Sequence, residues 1–177
     1  MRNSEHFLPP YTIWTYSGNT CTIKKYNSSY ATTQNVLHIP STLSNHQVTG
    51  IASGAFRSSH KFTTIVIPDG VTFIGDNAFE YSDLKSIGIP DSVLSIGTYA
   101  FSNCSELRSV ELPIYLKDIE LGAFRHCEKL ASVTIPATVQ KIGDFAFSNC
   151  PNLTFRVKQD SYAHEYALSH GIPYTFY

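Results

Sequence analysis

Charge is scarce in this chain. Only 15% of its 177 residues are Asp, Glu, Lys or Arg, the formal net charge is -1, and no run of Lys or Arg reaches three. Nucleic-acid binding needs a concentrated basic face to replace counterions on phosphates, so no nucleic-acid partner is expected. No apolar stretch approaches the roughly 18 residues of a membrane span, and membrane insertion is not expected either. Met1 to Pro10 carries Arg2 but no apolar segment after it, so no signal peptide is read here and the chain is expected to be intracellular or a mature fragment. Cysteine is limited to four residues without a C-x-x-C, so the usual zinc-knuckle spacing is missing. There is no H-E-x-x-H, G-x-S-x-G, P-loop or G-x-G-x-x-G. What remains is 42% hydrophobic and of a length that suits one ordinary globular domain.

What is present in abundance is a repeat. Ala-Phe recurs at Ala55-Phe56, Ala78-Phe79, Ala100-Phe101, Ala123-Phe124 and Ala146-Phe147, with spacings of 23, 22, 23 and 23 residues. A proline closes an apolar run at Pro68, Pro90, Pro113 and Pro136, each 11 residues before its Phe. Pro40 lies 16 residues before Phe56, so five extra residues within Thr42 to Thr49 bulge from the first full repeat. The shared pattern is Leu-x-x-Ile-x-Ile-Pro-x-x-Val-x-x-Ile-Gly-x-x-Ala-Phe-x-x-Cys, clearest in Leu130 to Cys150, where Val133 takes the first Ile place. A period of 22 to 23 lies in the leucine-rich-repeat range. Ile87 and Ile89 alternate, so both point to one side of a short strand. Proline then stops the strand because it has no N–H for a ladder. Val93 and Ile96 fill the coil from the opposite wall, Phe101 plugs the interior, and the small Ala100 lets coils approach. Gly75, Gly97 and Gly143 are read as a turn that needs positive φ, with a different turn where Ala52 and Glu120 replace them. One such unit cannot bury its apolar face alone, whereas stacked units bury a continuous core.

The ends depart from the pattern. Tyr11 to Tyr16 and Thr20 to Tyr26 read as strand material without Ala-Phe, an N-terminal cap over residues 1–34. The repeats cover 35–157. In 158–177, Asp160 or Ser161 is placed to N-cap a helix with Ala163, Tyr166, Ala167 and Leu168 on its apolar side. Gly171 suits its C′ position, and Tyr174 to Tyr177 a last strand.

The Ile-x-Ile-Pro-x-x-Val-x-x-Ile-Gly-x-x-Ala-Phe-x-x-Cys pattern resembles the BspA-like, or Treponema-type, leucine-rich repeats. Val48-Thr49-Gly50-Ile51 looks like that family's opening repeat, and Ser161 to Ala167 with Gly171-Ile172-Pro173 like its closure. The resemblance covers about residues 11 to 177. It implies a mainly β solenoid, a right-handed superhelix of about five to six coils of 22–23 residues with a short C-terminal capping helix. Family domains of this kind are commonly secreted or surface-displayed by host-associated bacteria and some protozoan parasites, and members described as adhesins bind host matrix proteins. The resemblance brings no catalytic residues, and no cofactor is expected.

Each chemical candidate has a plain alternative. Cys104, Cys127 and Cys150 fall in one column with Ser59 and Ser82; as neighbours in a stack they suit packing of small side chains, with a disulfide or metal as the competing reading. Cys21 has no evident partner. His164-Glu165 and His170 are spaced H-E-x-x-x-x-H, too far apart for two ligands on one helical face. His126 and Cys127 are adjacent on an extended chain and point to opposite sides. No catalytic or metal residue is assigned.

A binding surface is the remaining candidate. The outward residues between the two Ile positions are His38, Val66, Gly88, Glu111, Thr134 and Arg156. Two residues earlier runs Thr64, Ser86, Ser109 and Ser132, with a one-residue slip before Phe155. Solenoids present such ladders as binding surfaces; a merely solvated face is the alternative. A second candidate is the aromatic segment of Tyr11, Trp14, Tyr16, Tyr26 and Tyr30, either cap packing or a patch. The insertion around Asn45, His46 and Gln47 is a third. The expected function is a non-catalytic protein-binding module, adhesin-like and at the cell surface by resemblance. A spacer without its own ligand, or a carbohydrate-binding module, are the alternatives.

Overall fold

The computed structural model describes residues 11–26 and 35–177, with side chains from Trp14 onward. Tyr30 lies outside the described residues, as do the remaining parts of 1–34, and Tyr11 is described by its backbone alone. The chain winds into a β solenoid of about six turns, each turn adding one unit of the repeat.

Two walls of each turn are strands. The first wall holds β3 (Val36–His38), β6 (Thr64–Val66) and β8 (Ser86–Gly88) as one parallel sheet. It continues as a second sheet of β10 (Ser109–Glu111), β12 (Ser132–Ile135), β14 (Thr154–Val157) and β15 (Tyr174–Phe176). Ser132 pairs directly with Thr154 and Thr134 with Arg156, so this ladder runs on without the expected slip. The opposite wall is also laddered, in two-residue strands around the second Ile column: β7 (Phe73–Ile74), β9 (Ser95–Ile96), β11 (Asp118–Ile119) and β13 (Lys141–Ile142). At its N-terminal side β5 (His46–Ile51) carries β2 (Thr20–Tyr26), and β2 carries β1 (Tyr11–Ser17) antiparallel. The five extra residues form a hairpin, β4 (Thr42–Leu43) against β5. Ser44 and Asn45 both have positive φ, 47° and 64°, as a two-residue hairpin turn of right-handed strand twist requires.

The third wall is the Ala-Phe turn, and it is hydrogen-bonded from coil to coil too. Phe56, Phe79, Phe101 and Phe124 each donate their N–H to the Ala carbonyl of the next coil, at 2.7–2.8 Å. A left-handed residue stands on either side: Gly54, Asn77, Tyr99, Gly122 and Phe145 before the Ala, and Ser58, Tyr81, Asn103, His126 and Asn149 after the Phe. The donors in both columns also aim along the stack, as in Tyr99 N–H to Leu121 and His126 N–H to Ser148.

Positive φ therefore belongs to those columns. It is not found at Gly75, Gly97 or Gly143, nor at Ala52 or Glu120, which corrects the turn expected there. Those glycines are needed for space. A Cβ on Gly75 would lie 2.6 Å from the Ser53 nitrogen, on Gly97 2.7 Å from the Asp76 nitrogen, and on Gly143 2.7 Å from the Leu121 nitrogen. Each contact is with the backbone of the preceding coil.

The core is the inward product of the three walls. Phe56, Phe79, Phe101, Phe124 and Phe147 form one column of nearly parallel rings, 5.2–5.5 Å between centroids. Parallel planes at that separation are slid sideways, the arrangement that ring quadrupoles favour. Tyr26 and Phe62 cover the first ring, and Phe155 meets the last edge-on at 4.9 Å. The sole α-helix among the described residues, α1 (Tyr162–His170), follows. Ser161 is its N-cap, accepting from the His164 N–H, and Gly171 ends it at φ 64°. Ala163 and Ala167 are its buried face.

Candidate functional site

The outward column of the first wall is a continuous feature over most of its length. His38, Val66 and Gly88 are register partners, as are Glu111, Thr134 and Arg156, and Thr175 of β15 extends the second run. All six predicted residues are exposed or half-exposed. The column is broken once, because β8 and β10 lie in separate sheets.

An open groove of about 710 Å³ lies across that break. Gly88, Glu111, Thr134 and Arg156 form part of it, whereas His38 and Val66 lie outside. Gly88 sits in the column where its neighbours carry side chains, and nothing lies within 4 Å of where its Cβ would be. The groove thus has a bare floor at this point. Three carboxylates, Asp69, Asp91 and Glu111, line it with a single cation, Arg156. Among the described residues neither Glu111 nor Arg156 is in an ion pair. Asp91 is partly committed, accepting from the Ile114 N–H at 3.0 Å.

Sequence reasoning missed Asp69, Asp91, Ile114 and Tyr177. The first three are the residues directly after Pro68, Pro90 and Pro113, so the proline column was the available signal. Ile114 is 51% exposed, which puts a large apolar group on the groove wall. Tyr177 is fixed by a hydrogen bond from its hydroxyl to the Ile135 carbonyl, 3.0 Å.

The N-terminal aromatic candidates divide. Tyr26 is buried against Phe56 and Phe62, so it belongs to the core. Trp14 is half-buried against the core, and its indole N–H donates to the Tyr16 hydroxyl. Tyr16 is exposed, with its ring 4.2 Å from that of His46. The hairpin made by the insertion therefore brings the second and third sequence candidates together.

The cysteine column is built into the stack. The thiols of Cys104, Cys127 and Cys150 donate to the carbonyls of Phe79, Phe101 and Phe124 in the preceding coil, at 3.2, 3.2 and 3.1 Å. Burial pushes the Cys104 thiol up to about 11. The neighbouring Cys150 thiol and burial raise Cys127 well above its ordinary value. Both are protonated at neutral pH, and a thiol is a poor nucleophile. Cys21 finds a partner after all, its thiol lying 3.7 Å from the His46 carbonyl. His164 and His170 are held apart: His164 packs against Tyr174 and Phe176, and His170 stacks on Tyr166. Among the described residues no helix is long and apolar enough to cross a membrane.

Comparison with known proteins agrees with the geometry. Residues 21–155 match the BspA type leucine rich repeat region in six copies. A T. pallidum leucine rich repeat protein is 26% identical at a TM-score of 0.76, over 82% of this chain and 68% of that one. A Bacteroides capillosus leucine-rich repeat protein is 29% identical at 0.51, over 82% and 94%. A leucine rich cell surface protein from Faecalibacterium prausnitzii is 25% identical at 0.52, over 85% and 55%, so the chain spans about half of its length. No curated protein matches.

Proposed function

The chain belongs to the BspA-type leucine-rich-repeat family, and on that premise we propose that it is a protein-binding module that holds its partner in the groove of the strand face. The family and fold support a protein-interaction scaffold in general terms. The observation that carries the finer reading is the bare floor at Gly88 inside a groove of mixed charge. Exposed Ile114 and Tyr177 stand beside charged and polar groups that include Arg156, and tyrosine and arginine are among the residues that supply most of the binding energy in interfaces. We extend the reading to display at a cell surface and adhesion to a host or matrix protein. The Faecalibacterium relative's description as a cell surface protein supports it.

The test is binding of the purified chain to an array of matrix proteins and glycans, with Gly88→Trp as the plugging variant. Gly88 lacks positive φ and a Cβ there meets nothing within 4 Å, so an indole at this position should occupy the groove, and an unchanged melting temperature checks that the coil is intact. A saturable protein ligand lost in Gly88→Trp, and weakened by Glu111→Ala or Arg156→Ala, is the expected result. A ligand kept by Gly88→Trp but lost on Tyr16→Ala would move the site to the Tyr16–His46 pair. A glycan ligand would favour the carbohydrate reading, and no ligand at all the spacer reading.

A further inference from the structure

The last coil opens into a second pocket that shares no lining residue with the groove. It measures about 430 Å³ and lies between the turn from Ile142 to Ser148 and the helix α1, with Ile172 on its wall. Phe145 lines it and is 62% exposed, more than any other large apolar side chain among the described residues.

Nothing in the coil requires a ring at that position. Its equivalents are Gly54, Asn77, Tyr99 and Gly122, and all five residues have φ between 54° and 65°. A bulky side chain is unfavourable in this left-handed region, and glycine suits it best. Tyr99 is the one other aromatic in the column, and its ring is used: it lies across Gly122 of the next coil, where a Cβ would come within 2.2 Å of it. Phe145 has no such glycine ahead of it, because the chain passes into β14 and α1. Its ring borders the pocket.

The other wall is also aromatic. Tyr166 and His170 are one helical turn apart and stack at 3.8 Å and 13°. Asp144 adds a carboxylate that makes no ion pair among the described residues. No Lys or Arg lines the pocket. Aromatic faces carry negative potential, and a cation held between them is stabilised most when it sheds little hydration. A primary amine would need acceptors for three N–H groups, and a sugar would need partners for its hydroxyls. The pocket's polar side-chain groups are the Asp144 carboxylate, the Ser148 and Tyr166 hydroxyls, and the His170 ring, whose Nδ1 lies 2.9 Å from the Tyr166 carbonyl.

We propose that this pocket binds a methylated ammonium group, with Phe145 and the Tyr166–His170 stack as its walls and the Asp144 carboxylate as its counter-charge. Such a group has a positive charge with few or no N–H donors and an apolar surface, which matches a pocket walled by rings around a single carboxylate.

The experiment is an NMR titration of the whole chain at pH 7.5 with choline, Nε-trimethyl-lysine, the uncharged isostere 3,3-dimethylbutan-1-ol and methyl glucoside. Saturable shifts at Phe145, Tyr166 and His170 are expected with the ammonium compounds, and the isostere should bind about tenfold more weakly. Asp144→Asn should weaken the ammonium compounds by a similar factor. Phe145→Gly should abolish the shifts while leaving the melting temperature no lower, since Gly54 and Gly122 occupy the same backbone state. A tighter fit for choline would assign the natural ligand to lipid or polymer headgroups, and a tighter fit for trimethyl-lysine to a modified protein. Equal binding of the isostere, saturation by methyl glucoside instead, binding unaffected by Phe145→Gly, or no saturable shift would each overturn the proposal.

Discussion

Glycine means different things at different residues of this solenoid. At Gly97 it is required, because a Cβ would press on the Asp76 nitrogen at 2.7 Å and the Gly75 carbonyl carbon at 2.8 Å. Backbone cannot step aside as a side chain can, so Gly97→Ala should destabilise by about 1–3 kcal/mol, as overpacking does. At Gly88 the same substitution meets nothing and has ordinary φ. Gly88→Ala should be neutral or stabilising by up to about 1 kcal/mol, since the unfolded chain loses freedom. Urea titrations of the two variants decide the matter, and equal effects would contradict the assigned roles. The buried thiol gives a pH dependence. Cys104 rises from 9.0 to about 11 on folding, chiefly through burial. Its proton is kept by the folded state and lost by the unfolded one between those values, so its contribution is whole below pH 9 and is lost as pH rises through about 11. Cys104→Ser should flatten the stability curve over that window relative to the parent, and an unchanged slope would argue against burial as the cause.

Among the elements, α1 is the one whose ends are set by single residues, the Ser161 side chain at one end and the Gly171 backbone at the other. The Ser161 hydroxyl accepts from the His164 N–H and donates to the Lys158 carbonyl at 2.7 Å. Ser161→Ala should cost about 0.5–2 kcal/mol, as loss of a cap does, and hydrogen exchange should accelerate first in Tyr162–His170. Uniform acceleration across the coils would mean that the cap supports more than its helix. The helix and the first strand wall were legible because side chains mark them: a Ser-to-Gly frame for one, Ile-x-Ile-Pro for the other. The ladder of β7, β9, β11 and β13 was legible only as a row of buried Ile, since its pairing is a property of backbone. The Ala-Phe turn hid its hydrogen bonds for a related reason. Its left-handed positions are filled by Gly, Asn, Ser, Tyr, His and Phe, with no shared residue type to reveal them. The groove escaped similarly: the place after proline holds Asp69 and Asp91 but then Ile114 and Ala137, so the column changes chemistry halfway along the stack.

Across the whole molecule, the repeat makes stability a sum of coils and of contacts between neighbours. The phenylalanine column is where this can be measured. Phe79 and Phe101 stack at 5.2 Å and 5°, whereas Phe56 and Phe147 stand four coils apart with three rings between them. Truncation to Ala is too severe for a double variant, because Phe101→Ala alone should cost about 3–5 kcal/mol of a total near 5–15 kcal/mol. Leu keeps most of the volume and removes the ring. Phe79→Leu and Phe101→Leu should then couple by about 0.5–1.5 kcal/mol, the worth of an aromatic pair beyond its buried area. Phe56→Leu and Phe147→Leu should add within about 0.5 kcal/mol, as distant independent sites do. Equal coupling for the two pairs would show that the coils unfold through something longer-ranged than stacking. No coupling in either would mean that the rings serve only as apolar filling. The expected contrast makes the column a chain of neighbour contacts, each coil held in place by the coil before and the coil after it.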